Sequence, residues 1–211
     1  MEKQKLRRLT MAALCGAVAF VLMYFSFSVP VLSPFAEFDL SAVPELIGGF
    51  ILGPAGAIEI ILIKLGLKLL FKGSSSLLTG EVINFILNLS HVLPALYYYR
   101  GHRTKKGAVI GLALGTLVCV AMSVPANILV TFPIYIKLYG MNWEGIIAIC
   151  SDLNPWIKDI PTMVAFSILP FNLLSRSITS LITLLLYKRL SVPIKKLIQE
   201  QGGGANEVQH G

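Results

Sequence analysis

Six apolar runs of near-helix length, parted by proline, glycine and clustered charge, constrain this chain more than any other feature. The first, LTMAALCGAVAFVLMYFSFSV, covers 9–29 and closes at Pro30. A short second run, AVPELIGGFILG, lies at 42–53; the others fill about 55–72, 80–99, 107–132 and 162–188. A helix crossing a hydrocarbon layer about 30 Å thick needs about 20 mostly apolar residues. The alternative, a water-soluble fold, fails on composition. With 55% hydrophobic and 14% charged residues and a mean hydropathy of +0.74, the chain carries more apolar surface than a core of this length can enclose. The expected fold is all-α: an integral membrane bundle of six transmembrane helices, one domain over 1–190. The remaining 191–211, polar and glycine-rich, is expected to be a disordered tail. Pro44, Gly48, Gly49, Gly53 and Pro54 interrupt runs two and three, whose ends are the hardest to place.

Basic residues set the orientation. Lys3, Lys5, Arg7 and Arg8 precede run one; Arg100, Arg103, Lys105 and Lys106 join runs four and five; Lys188, Arg189, Lys195 and Lys196 follow run six. In a six-helix topology these segments share one side, and the positive-inside rule makes that side, with both termini and the tail, cytoplasmic. The opposite loops hold Glu37, Asp39, Glu144, Asp152 and Asp159. The net charge of +7 is then a topology signal that requires no nucleic-acid partner. The N-terminal run is as long as a full span and lacks a small-x-small cleavage site, so it is read as a retained helix of a multi-pass membrane protein.

Enzyme signatures are missing from the sequence. It contains no GxxxxGK[ST] loop, no HExxH and no GxSxG, and its histidines are His91, His102 and His210. Cys15, Cys119 and Cys150 have no metal or redox spacing and read as packing residues. No catalytic residue, metal or cofactor is expected. Function must therefore be sought in polar side chains within the spans, which are costly in lipid and usually face a protein-lined cavity.

Lys64, Lys68 and Lys72 stand four apart in EIILIKLGLKLLFKG and share one helix face. Lys72, at the helix end, reaches the interface; Lys68 either does the same or meets a ligand. Lys64 either faces a ligand or neutralises Glu45 or Glu59. Asn84 and Asn88, one turn apart, join it from run four, with Glu81 just before them; Asn127 comes from run five and Asn172 from run six. Each amide alone is as readily interhelical glue as a binding group. Together they describe a polar pocket toward the outer half of the bundle, suited to a hydrogen-bond-rich small molecule. Pro125 can open the backbone beside Asn127.

The segments FDLSAVPELIGGFILGPAGA, GEVINF, HVLPALYYY, KKGAVIGLALGTL and ILPFNLL, in that order, resemble those of the substrate-binding S components of energy-coupling-factor (ECF) vitamin transporters, most of all the riboflavin-binding members. The resemblance spans about residues 6–190. It implies a subunit that captures a water-soluble vitamin outside and delivers it inward together with a membrane scaffold T subunit and two cytoplasmic ATPase subunits. It also implies that Lys64, Asn84, Asn127 and Asn172, which fit the family pattern, serve the vitamin; Lys68 and Asn88 join the candidate ligand-binding set from their positions alone. The loop PVLSPFAEFDL would gate the site, with Leu32, Phe35 and Asp39 as gate residues. Ala13 and Ala17 would form the small-xxx-small docking motif for the scaffold, a spacing that also suits internal packing in lipid.

The chain departs from the riboflavin-binding pattern at three places. Lys64-Leu65 stands for Lys-Asn, Ser175-Arg176 for Lys-Gly, and Asp39 to Ala42 read DLSA for DFSD. Losing an amide while gaining Lys68 and Arg176 favours an anion, so pantothenate or another anionic vitamin is the alternative ligand unless Arg176 pairs with Asp152 or Asp159. A stand-alone channel or facilitator, needing no partner, is the further alternative, and a sensor or assembly factor without a tight small-molecule ligand another.

Overall fold

The structure, a computed structural model, describes residues 2–74 and 78–203. It is mostly helical. Helix α1 (Glu2–Tyr24) leads into a hairpin of β1 (Phe27–Val29) and β2 (Ser33–Phe38). There follow α2 (Ala42–Lys72), α3 (Thr79–Gly101) and α4 (Lys105–Ala126), then a π-helical segment (Asn127–Thr131) and α5 (Phe132–Tyr139). Next come α6 (Trp143–Leu153), α7 (Ile160–Met163), a second π-helical segment (Val164–Ile168) and α8 (Leu169–Gly203). Among the described residues four stretches are long and apolar enough to cross a membrane: 4–24, 42–72, 105–139 and 160–187.

Run one departs from expectation at its end. Its helix begins among the charged residues at Glu2 and stops at Tyr24, and Phe27–Val29 pairs antiparallel with β2. Pro30 and Pro34 bound the reversal, and aromatic or β-branched residues fill the strands, as pleated structure favours. Phe27 sits opposite Phe38 and Ser28 opposite Glu37; the register shifts between Ser28 and Val29. Runs two and three lie within α2, broken at Gly53, whose φ of 81° and ψ of −178° only glycine adopts readily. Pro54 then restarts the helix where its missing N–H is not needed. The α6 helix, amphipathic and between runs five and six, lay outside the six apolar runs. The expected tail at 191–211 is helical as far as Gly203, and its last residues, 204–211, lie outside the described residues.

Contacts define two ends of the bundle. Arg8 Nη2 meets Glu59 Oε1 at 2.7 Å, one and a half turns after the Gly53 break. Phe50 packs edge-on against Tyr99 and tilted against Tyr187. The start of α1, the α2 break, the end of α3 and α8 near Tyr187 therefore share one end, and the basic clusters at Arg7–Arg8 and Arg100–Lys106 lie there. At the other end Phe20 packs on Phe71, and Lys72 lies 5.9 Å over the ring of Tyr24. Small residues let the helices approach closely. Gly16 fits against Ile63, Gly111 and Gly115 lay α4 on α3, and Gly107 packs on His102 in the turn between them. Between α3, α4 and α8, the fully buried His91 bonds through Nε2 to Ser180 Oγ at 3.0 Å, and Thr116 joins Ser180 at 3.1 Å.

Candidate functional site

A cavity of about 380 Å³ opens at the hairpin end, within the range that holds small-molecule ligands. Phe20 and Tyr24 of α1, Phe35, Glu37 and Asp39 of the hairpin segment, and Lys68 and Lys72 of α2 line one side. Asn84, Asn127, Thr131, Tyr135, Asn172 and Arg176 line the other. Aromatic faces thus alternate with amides and charge.

The first π-helical segment borders this cavity, and the second ends three residues before the lining residue Phe171. A π turn widens the helix by one residue and leaves carbonyls for side chains to satisfy. Asn127, the first residue of one segment, donates from Nδ2 to Ser123 O at 2.7 Å, and Thr131 Oγ1 donates to Ala126 O at 3.3 Å. Asn172, four residues past the other, donates from Nδ2 to Ile168 O at 2.9 Å. In both asparagines one NH₂ hydrogen is therefore bonded to its own helix, which fixes the orientation of the carboxamide. Oδ1, the acceptor, has no donor among the described residues and is the group left for a ligand.

The lysine stripe divides. Lys64 is wholly buried and does not line the cavity. Its Nζ forms an ion pair with Glu45 Oε1 at 2.5 Å and donates to Ser41 Oγ at 3.1 Å and to Asn84 Oδ1 at 2.9 Å. Of the two acids considered for it, Glu45 is the partner, and Glu59 pairs instead with Arg8. Neither carboxylate oxygen of the buried Glu45 accepts a hydrogen bond among the described residues, so the ion pair with Lys64 alone balances its charge. Lys68 lines the cavity but bonds Glu81 at 2.6 Å, and Glu81 also accepts from Ser74 at 2.9 Å. Lys72 is exposed at the cavity rim over Tyr24.

Asn84 is on the wall, whereas Asn88 lies behind it, donating to Asn84 Oδ1 at 2.7 Å and accepting from Arg176 Nη1 at 2.7 Å. Arg176 thus points inward. The outer-loop pairing considered for it, with Asp152 or Asp159, does not form; Asp159 instead caps α7 through Thr162. Among the described residues no carboxylate pairs with Arg176, and its Nε is buried without a partner.

Of the gate residues, Phe35 stands over the cavity with its ring edge-on to Phe132 and Tyr135, at 5.8 and 6.2 Å. Asp39 lines the cavity and accepts from Ser41 N at 2.7 Å. Leu32 sits in the reversal between the strands, away from the lining. Ala13 and Ala17 are exposed on the outer face of α1, while Ala12, Gly16 and Ala19 face inward and do the internal packing. Sequence reasoning passed over Thr131 and Tyr135. The signal was present, since 127, 131 and 135 stand four apart on one helical stripe that begins at a chosen asparagine.

The family model for the ECF transporter substrate-specific component matches residues 7–187. A riboflavin transporter of Staphylococcus aureus is 29% identical over 197 residues, 93% of this chain and 97% of that protein. The Bacillus subtilis riboflavin transporter is 27% identical over 198 residues, 93% and 96% of the two chains. That of Streptococcus thermophilus is 30% identical over 192 residues, 90% and 86%. A solved S component of a bacterial ECF transporter superposes with a TM-score of 0.71 at 30% identity, over 90% of this chain and 99% of that one.

Proposed function

The chain belongs to the substrate-specific components of ECF transporters, and from that premise we propose that it captures riboflavin from outside the cell in the cavity beneath the hairpin. It is an integral membrane transport subunit and not an enzyme. The observation that carries the riboflavin reading is the cavity itself: about 380 Å³, walled by aromatic rings and by the carboxamides of Asn84, Asn127 and Asn172. The relatives compared above are named as riboflavin transporters, which supports the same ligand.

In this reading the bundle has six membrane-spanning helices, with α2 counted as two around Gly53 and residues 105–139 and 160–187 as one each. Both termini and the tail face the cytoplasm, so the cavity opens outward. Phe35 and Asp39 act at the gate. Ala13 and Ala17, exposed on α1, receive a membrane scaffold T subunit that works with two ATPase subunits. A cysteine placed at Gly101 is then inaccessible to a membrane-impermeant thiol reagent in intact cells, and labelling there from outside would reverse the orientation.

Pantothenate or another anionic vitamin is the second reading. The inward guanidinium of Arg176, with no carboxylate paired to it among the described residues, favours it. The purified chain decides between them. Retained yellow colour and quenching of flavin fluorescence on titration support riboflavin; calorimetric heat with pantothenate and none with riboflavin would replace it.

A further inference from the structure

Through the cavity wall, from the lining residue Arg176 to the buried Lys64 behind it, runs a chain of three hydrogen bonds with a cation at each end. Lys64 donates to Asn84 Oδ1, Asn88 Nδ2 donates to the same oxygen, and Asn88 Oδ1 accepts from Arg176. The two ends of a carboxamide are ordinarily assigned from their surroundings. Here the chemistry leaves no choice, because ammonium and guanidinium groups only donate. Arg176 must meet the oxygen of Asn88, which turns the Asn88 NH₂ toward Asn84. Lys64 must meet the oxygen of Asn84 from the other side. Both donors converge on Oδ1, and the Asn84 NH₂, on the cavity wall, is left without a partner among the described residues. Glu45 and Ser41 hold Lys64 in place in turn.

We propose that Lys64 and Arg176 are positioning residues that lock the Asn84 carboxamide with its NH₂ toward the cavity, so that this wall selects a ligand hydrogen-bond acceptor. The inference rests on the reading of the cavity as a riboflavin site. Its consequence is a fixed polarity: Asn84, with both its acceptor bonds taken by Lys64 and Asn88, offers a donor, while Asn127 and Asn172, each oriented by one NH₂ hydrogen bonded to Ser123 or Ile168, offer a free Oδ1 acceptor. A heterocycle edge carrying carbonyl acceptors beside an N–H donor matches this polarity, and its reverse does not. Lys64 therefore serves specificity without touching the ligand.

The test uses the full chain in detergent. Asn84→Asp exchanges the NH₂ for an oxygen that still accepts from Lys64 and Asn88 but cannot donate to a ligand. It is expected to melt near the parent and to lose riboflavin affinity by at least about tenfold, the scale of one hydrogen bond left unmade. Glu45→Gln with Lys64→Gln removes the lock and both charges together, so no buried ion is orphaned, and riboflavin affinity falls. Adding Asn84→Asp to that pair costs no more than Asn84→Asp alone, because the lysine acts through the asparagine. A purely structural lysine would make the two losses multiply. Asn84→Asp binding as tightly as the parent, or multiplying losses, overturns the proposal. The parent's own riboflavin titration tests the function separately. If the parent binds pantothenate instead, the same variant comparison is read by calorimetry with that ligand, and a parent that binds neither refutes both.

Discussion

Replacing Gly115 by alanine adds one methyl group at the closest approach of α4 to α3. The new Cβ would lie 2.1 Å from the carbonyl oxygen of His91, where ordinary contact begins at 3.4 Å, a shortfall of 3.4 − 2.1 = 1.3 Å. That oxygen is backbone and cannot rotate aside, so the helices must part. Overpacking of this kind costs about 1–3 kcal/mol, which the better helix propensity of alanine, about 1 kcal/mol, offsets only in part. Gly66 provides the control, since nothing lies within 4 Å of a Cβ added there and propensity acts alone. The same chemical change should therefore have opposite signs at the two sites. In a domain of this size each kcal/mol moves the melting midpoint by about 2–4 °C. Thermal unfolding in detergent should show Gly115→Ala lower by up to about 8 °C and Gly66→Ala level or higher by about 2–4 °C. Because α3 also carries Asn84 and Asn88, riboflavin affinity should fall with Gly115→Ala. A Gly115→Ala protein melting at or above the parent would refute the described α3–α4 contact.

Gly53→Ala should destabilise by about 1–3 kcal/mol although space is open around it, because φ of 81° strains any L side chain; thermal unfolding reads this directly. Ala13→Leu with Ala17→Leu should leave riboflavin binding unchanged, since both positions face outward, yet abolish co-purification with a scaffold subunit and uptake in cells. Asp159 caps α7, and its hydrogen bonds from Thr162 hold its carboxyl below the usual aspartate value. Its lowered value makes the contribution fully present above the ordinary pKa of about 3.9 and lost as pH falls through the lower folded value. The melting gap between the parent and Asp159→Ala should accordingly be constant near neutrality and narrow in strong acid.

Much of the architecture was legible from residue order. Apolar runs fix helices in lipid because every backbone polar group must be satisfied within the segment, which leaves few alternatives. Proline and glycine marked the break inside α2, and Pro125 marked the opening before Asn127. The hairpin was hidden because SFSV continues the apolar run, and only pairing with β2 across the reversal reveals it as strand. The α6 helix was too short to stand out as a span. At the site, helical spacing put Asn84 on the same stripe as Asn88, but could not say that one faces the cavity and the other lies behind it.

The sequence by itself determined a membrane bundle, its family and the set of polar side chains that had to be sheltered from lipid. Only the tertiary structure decided what each of them shelters against. Lys64 and Lys68 lie on one stripe, yet Glu45 takes the first and Glu81 the second. Arg176 turns inward to Asn88, 88 positions away in sequence, and not toward the outer loop. The physical reason is that periodicity along one helix gives the direction of a side chain relative to its own axis. A hydrogen bond needs a partner within about 3 Å, and which helix brings that partner is set by how the helices pack against one another.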